Sequence, residues 1–247
     1  MNRFRKHGTA RALRWEAAGL AWLAAADALP VVDVLDVADD HLDLAALTSV
    51  PPTAAAARAF GAGLARLHDA GAPAFGAPPP GWDGDGYIGR LPLVSVSFST
   101  WGECYAQARL APVGEALRAA GDLPPDVAAS LDRLTDRLRA GDLDDDDPPA
   151  RLHGDLWAGN VLWTPAGATL IDPAAHSGHR ESDLAMLALF GLPHLDAVVA
   201  GYESVHPLRP GWRRRTGLHQ LFPVAVHAVL FGGGYVAQTH ALLRQWA

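Results

Sequence analysis

The stretch from His153 to Pro173 constrains this chain more than any other. It reads His153-Gly154-Asp155-Leu156-Trp157-Ala158-Gly159-Asn160, then Val161-Leu162-Trp163, a Thr164-Pro165-Ala166-Gly167 turn, and Thr169-Leu170-Ile171-Asp172-Pro173. Two β-like runs around a turn of that composition predict a hairpin. A hairpin folds back on itself, so whatever precedes its first strand and follows its second ends at one edge of a small sheet. Asp155 and Asn160 precede it and Asp172 follows it. Two carboxylates and an amide are therefore expected to converge.

That convergence has a chemistry. An Asp, four residues and an Asn match the spacing of a kinase catalytic loop, and a third carboxylate follows twelve residues after Asn160. Phosphoryl transfer to an alcohol needs a carboxylate to accept the hydroxyl proton. It also needs oxygen ligands for the Mg²⁺ that bridges the ATP phosphates. Asp155 is expected to be the base, and Asn160 and Asp172 the metal ligands. Asp and Asn also cap turns, but capping leaves the shared spacing unexplained.

The rest of the chain reads as α+β. Helical spacing of Leu13, Ala17, Leu20 and Ala24 predicts a helix over Ala10–Ala26, ended by Pro30. Short β-like runs follow at Val31–Leu35 and His41–Leu44, and Pro51-Pro52 marks a boundary between residues 1–50 and 51–247. Helices are predicted over 53–69, 100–120, 125–140, 182–190, 194–205 and 212 to the end, with a Gly/Pro-rich loop over 71–86. The run Asp142–Asp147, followed by two prolines, reads as a solvated linker. Gly232-Gly233-Gly234 is no phosphate loop, because no strand precedes it and no Lys-Ser/Thr follows.

Composition closes off other classes. The net charge is -7, and Arg213-Arg214-Arg215 is too short a basic run for a nucleic-acid footprint. No apolar run reaches membrane-spanning length. The single cysteine, Cys104, excludes an internal disulfide. The chain is expected to be soluble and cytoplasmic, without nucleic-acid or membrane partners.

The catalytic-loop segment and the Asp172-Pro173-Ala174-Ala175-His176 segment resemble the fructosamine kinase (ketosamine-3-kinase) family. So do Glu16–Leu23, Leu64–His68, Tyr87–Pro92, Trp101 with Tyr105 and Arg109-Leu110, and His206–Trp212. The resemblance implies a protein-kinase-like fold of the aminoglycoside phosphotransferase type, with a sheet-bearing N-lobe and a mainly helical C-lobe. It implies ATP and Mg²⁺ as cofactors, and phosphorylation of a sugar hydroxyl of a small ketosamine or glycated protein, a deglycation step. It places Lys6 at the lysine that grips the phosphates and Glu16 at its helix partner. Ala45, Ala46 and Leu47 fall at the hinge whose backbone meets adenine. Trp157 is a candidate wall for the sugar, or else a core indole. His176 and His179 are candidate substrate contacts, or else loop residues. His153 and Asp183 are expected to support the catalytic loop.

One departure stands out. The family carries a glycine-rich hairpin ahead of the lysine strand, and here little precedes Lys6. The expectation is an N-terminally truncated member with a shortened N-lobe and weakened ATP binding. Rival readings are a kinase of the same fold acting on another small molecule, a catalytically impaired kinase-like binding protein, and a metal-dependent hydrolase built on His153, Asp155, Asp172, His176 and His179.

Overall fold

The computed structural model describes residues 2–247. Strand β1 (Arg3–His7) leads into helix α1 (Ala10–Ala24), whose N-terminus is capped by the Thr9 hydroxyl. Strands β2 (Val34–Val37) and β3 (His41–Ala45) complete an antiparallel sheet of order β1-β3-β2, with Lys6 opposite Leu42. Alternation puts Phe4 and Lys6 on one face of β1 and Arg3 and Arg5 on the other. Both arginines bond Asp43 there. Helix α1 closes the Lys6 face with Leu13 and Leu20, which pack on Val32, Leu42 and Leu44.

Helix α2 (Ala54–Asp69) and helix α7 (Leu195–Glu203) form the tightest helix pair. They meet through glycines: a Cβ on Gly61 would lie 1.8 Å from the Val198 carbonyl oxygen, and one on Gly201 would lie 2.0 Å from that of Arg58. The predicted hairpin forms as β7 (Val161–Thr164) and β8 (Gly167–Leu170), with Val161 opposite Leu170. Phe60 of α2 packs edge-on against Trp163. The hairpin is tied to the first sheet by the segment after α1, where Leu170 N–H donates to the Pro30 carbonyl and Val32 N–H to that of Leu170. That splice carries Asp172 to the Lys6 face.

Several expectations need correction. Residues 100–120 are not one regular helix: α3 (Trp101–Cys104) and α4 (Ala111–Ala120) are joined by a π-helical turn, Tyr105–Leu110. The C-terminal helix is two, α8 (Trp212–Phe231) and α9 (Gly234–Trp246), because Gly232 and Gly233 take positive φ. A short hairpin, β4 (Gly86–Ile88) with β5 (Leu91–Leu93), follows the 71–86 loop and was not foreseen.

The acidic run is no solvated linker either. The Asp147 side chain is 3 % exposed and meets Arg180 and Arg209, while Asp145 meets His179 and Arg215. Sequence spacing hides these partners because they lie more than thirty residues downstream. Helix α5 (Pro125–Arg139), strand β6 (Ala150–Leu152), its antiparallel partner β9 (His176–Gly178) and helix α6 (Glu181–Leu189) complete the chain. No helix of the described residues is long and apolar enough to cross a membrane.

Candidate active site

The loop from His153 to Asn160 is held from beneath. Asp183, in the first turn of α6, is buried and accepts the N–H groups of His153 (2.8 Å) and Gly154 (3.0 Å) with its two carboxylate oxygens. His68 of α2 donates to the same carboxylate at 3.2 Å. Burial works to raise the Asp183 carboxyl, but the His68 and backbone donors hold it below the usual carboxylate range. The His153 ring, fully buried, donates from Nε2 to the Ile171 carbonyl and accepts the Asp155 N–H at Nδ1. It thus ties the loop to the far end of the β7–β8 hairpin. Gly154 has φ +81°, and a Cβ there would lie 2.1 Å from the Ala174 carbonyl oxygen, so only glycine fits the turn.

Asn160 locks the three oxygen-bearing residues together. Its Nδ2 lies 2.8 Å from the Asp155 carbonyl, 3.2 Å from Asp155 Oδ2 and 3.4 Å from the Asp172 carbonyl. With Nδ2 so engaged, the amide oxygen is the atom turned to other ligands. Asp172 adopts φ +53°, a left-handed conformation rare outside glycine. The strain turns its carboxylate toward Lys6, whose Nζ is 2.9 Å from Oδ1. The same ammonium is 2.8 and 2.7 Å from the Glu16 oxygens. Lys6 and Glu16 are ten residues apart, a spacing that takes the chain from the strand across one turn onto the facing side of α1.

Burial works to lower the Lys6 pKa, but hydrogen bonds and charge from Glu16, then Asp172, outweigh it and hold the ammonium above its ordinary value. Burial pushes the Glu16 carboxyl up, and Lys6 opposes this only in part. Asp155 is also raised by burial, against the charges of His153 and His227 and the Asn160 hydrogen bond. A buried carboxylate of raised pKa accepts a proton better than an exposed one.

A cavity of about 290 Å³ opens beside this cluster, lined by Phe4, Val32, Leu44, Ala45, Ala46, Leu47, Leu162, Ile171 and Asp172. It is apolar except at its Asp172 end. Ala45, Ala46 and Leu47 line it, but their N–H groups are not all available. Ala45 donates to the Asp33 carbonyl and Ala46 to that of Asn2. Phe4, Val32, Leu162 and Ile171 were not singled out from sequence. The alternation that puts Phe4 on the Lys6 face was the available signal.

The substrate candidates divide. Trp157 is 40 % exposed and meets Phe190 edge-on, so it is no core indole. Its ring lies over Gly159, where a Cβ would fall 2.3 Å from the indole. His176 and His179 are not placed to touch a substrate from solvent. Strand pairing of β9 with β6 buries His176, whose Nδ1 bonds the Ala174 carbonyl. His179 is 2 % exposed and bonds Asp145. The hydrolase constellation fails with them, since His153 is also committed on both ring nitrogens.

A family model for fructosamine kinases matches residues 3–247. The chain belongs to the fructosamine kinase family. Among curated relatives, a "probable ketoamine kinase" of Synechocystis is 37 % identical over 189 residues, covering 75 % of this chain and 60 % of that protein. The mouse "ketosamine-3-kinase" is 33 % identical over 159 residues, covering 63 % of this chain and 50 % of the relative. This family member thus spans about 60 % or less of the length of those two relatives. A crystal structure from Thermobifida fusca, named "putative fructosamine-3-kinase", superposes with a TM-score of 0.90 at 46 % identity, covering 98 % of this chain and 84 % of that one. An aminoglycoside phosphotransferase superposes at 0.63 with 16 % identity, a likeness of fold alone. The fold of this fructosamine kinase family member is accordingly α+β and protein-kinase-like, with a helical C-terminal part.

Proposed function

We propose that this chain carries the site for ATP-dependent phosphorylation of a sugar hydroxyl of ketosamines. The observation that carries the reading is the hydrogen-bonded cluster of Glu16, Lys6, Asp172, Asn160 and Asp155, whose Asp172 forms the polar end of one apolar cavity. The apolar cavity suits a purine between Phe4 and Val32 on one side and Leu162 and Ile171 on the other. The Leu47 backbone is the hinge group assigned to adenine, because the N–H groups of Ala45 and Ala46 are already engaged.

The donor set fits a hard cation. The Asn160 amide oxygen and the Asp172 carboxylate, which is 42 % exposed, are the oxygen ligands Mg²⁺ takes alongside phosphate and water. Asn160 and Asp172 would hold the ion, which would supply positive charge against the nucleotide phosphates. Lys6, fixed by Glu16, supplies a second positive charge on the same side. Asp155 accepts the proton of the attacking hydroxyl, with its backbone pinned by His153 and Asn160. Trp157 flanks the sugar.

Release of ADP from Mg-ATP with a fructosamine as acceptor, and with an aminoglycoside as comparison, tests the reading. Turnover is expected with the fructosamine, and Asp155→Ala is expected to lower kcat by about 10² to 10⁴. Turnover that survives the substitution removes Asp155 as the base. Preference for the aminoglycoside removes the ketosamine.

A further inference from the structure

Helix α1 presents two ridges. Leu13, Glu16 and Leu20, three and four residues apart, face the sheet that carries Lys6. Arg11, Trp15 and Gly19, four apart, lie on a different face. Each of these three meets a partner far along the chain. The Arg11 guanidinium donates to the carbonyls of Asp83 (3.0 Å) and Asp85 (2.9 Å) and lies 4.9 Å from the Trp82 ring centroid. The Trp15 indole donates to the Tyr87 carbonyl at 3.0 Å and meets Trp82 edge-on, with centroids 5.2 Å apart. A Cβ on Gly86 would lie 2.3 Å from the same indole. A Cβ on Gly19 would lie 3.0 Å from that of Ala175, just past Asp172. The segment that receives Arg11 and Trp15 is itself anchored. It runs into the β4–β5 hairpin, whose Ile88 and Leu93 share one buried cluster with Trp15, Val113 of α4 and Ala225 of α8.

We infer that Trp82 and Arg11 are positioning residues: the 82–87 segment clamps α1 from behind, so that Glu16 takes Lys6 and Asp172 is left to the metal. The inference rests on the roles proposed above for Lys6 and Asp172. The Lys6 ammonium is shared between two carboxylates, Glu16 at 2.8 and 2.7 Å and Asp172 at 2.9 Å. Only the Glu16 share depends on where α1 sits. A helix free to drift carries Glu16 away, and a half-buried ammonium then pairs with the carboxylate that remains. That carboxylate is the one assigned to Mg²⁺, so the clamp sets how much of Asp172 is available to a cation. Arg11 and Trp82 act through the helix. Their partners are backbone carbonyls and rings that neither approach the phosphates nor touch the acceptor.

The test measures calorimetric binding of ADP at graded Mg²⁺ in the wild type, Trp82→Ala, Trp82→Phe and Arg11→Gln. Trp82 is half-buried and Arg11 exposed, so Arg11→Gln keeps the core intact if Trp82→Ala does not fold. The Mg²⁺ concentration for half-maximal ADP binding is expected to rise about threefold to tenfold in Trp82→Ala and Arg11→Gln. Trp82→Phe keeps a ring edge against Trp15 and is expected to restore most of the loss. In turnover the KM for Mg-ATP should rise while the KM for the acceptor stays unchanged. An unchanged Mg²⁺ midpoint in both Trp82→Ala and Arg11→Gln overturns the clamp. So does a rise in both KM values together, which marks general loosening of the fold. A wild type that binds no ADP at any Mg²⁺ concentration overturns the proposed reaction instead.

Discussion

At Asp155 burial and local donors pull in opposite directions, and burial prevails. A base works only when ionised, so a raised pKa moves the acid limb of the rate profile upward. The kcat/KM of the proposed reaction should rise with pH through a midpoint above about 4, the ordinary value for an aspartate. A steady-state profile between pH 4 and 8 checks this, and a flat acid limb would remove the burial account. The residues that make this site were legible to different degrees. Asp155, Asn160 and Asp172 announce themselves by spacing, because a catalytic loop followed by a hairpin is a local arrangement. The commitment of His176 and His179 was not legible. A histidine in a short strand looks the same in sequence whether the strand is paired and buried or exposed.

At the scale of elements, helix α8 shows how distant parts repair each other. Pro223 sits inside it and interrupts its backbone ladder. The Tyr105 hydroxyl, from the π-helical turn, inserts at that point. It accepts the Phe222 N–H at 3.0 Å and donates to the Leu218 carbonyl at 2.6 Å. The phenol is buried, and burial pushes its pKa well above the ordinary value, so it stays a donor. Tyr105→Phe should leave two buried backbone groups short of a partner and cost about 1 to 3 kcal/mol. Denaturant unfolding measures this, and an unchanged midpoint would show that the helix closes its own gap. The helical periods of α1, α2 and α5 were readable because each buries one stripe of regularly spaced apolar residues. The π turn was not readable, since the Tyr105 that opens it is held by helix α8, more than a hundred positions away.

For the molecule as a whole, three buried histidines link stability to pH. Burial lowers His68, His176 to about 3 and His219 to about 4. A histidine whose folded pKa is depressed binds fewer protons than the unfolded chain does between the folded value and about 6.5. Its contribution is therefore present above pH 6.5 and is lost as the pH falls toward 4. At pH 5 the loss is on the order of 2 kcal/mol for each of His176 and His219. Calorimetric Tm should fall steadily from pH 7 to 5, and a Tm constant over that range would mean these rings are not held neutral. The sequence by itself determined the α+β class, the β7–β8 hairpin and the three oxygen-bearing residues that the hairpin gathers. Those depend on local spacing and turn chemistry. Only the tertiary structure decided that the acidic run is an internal ion-pair network, that the N–H groups of Ala45 and Ala46 are spent, and that an aromatic row continues from Trp157. Each of those depends on which remote segment packs alongside, and burial and pairing are settled only when the whole chain closes.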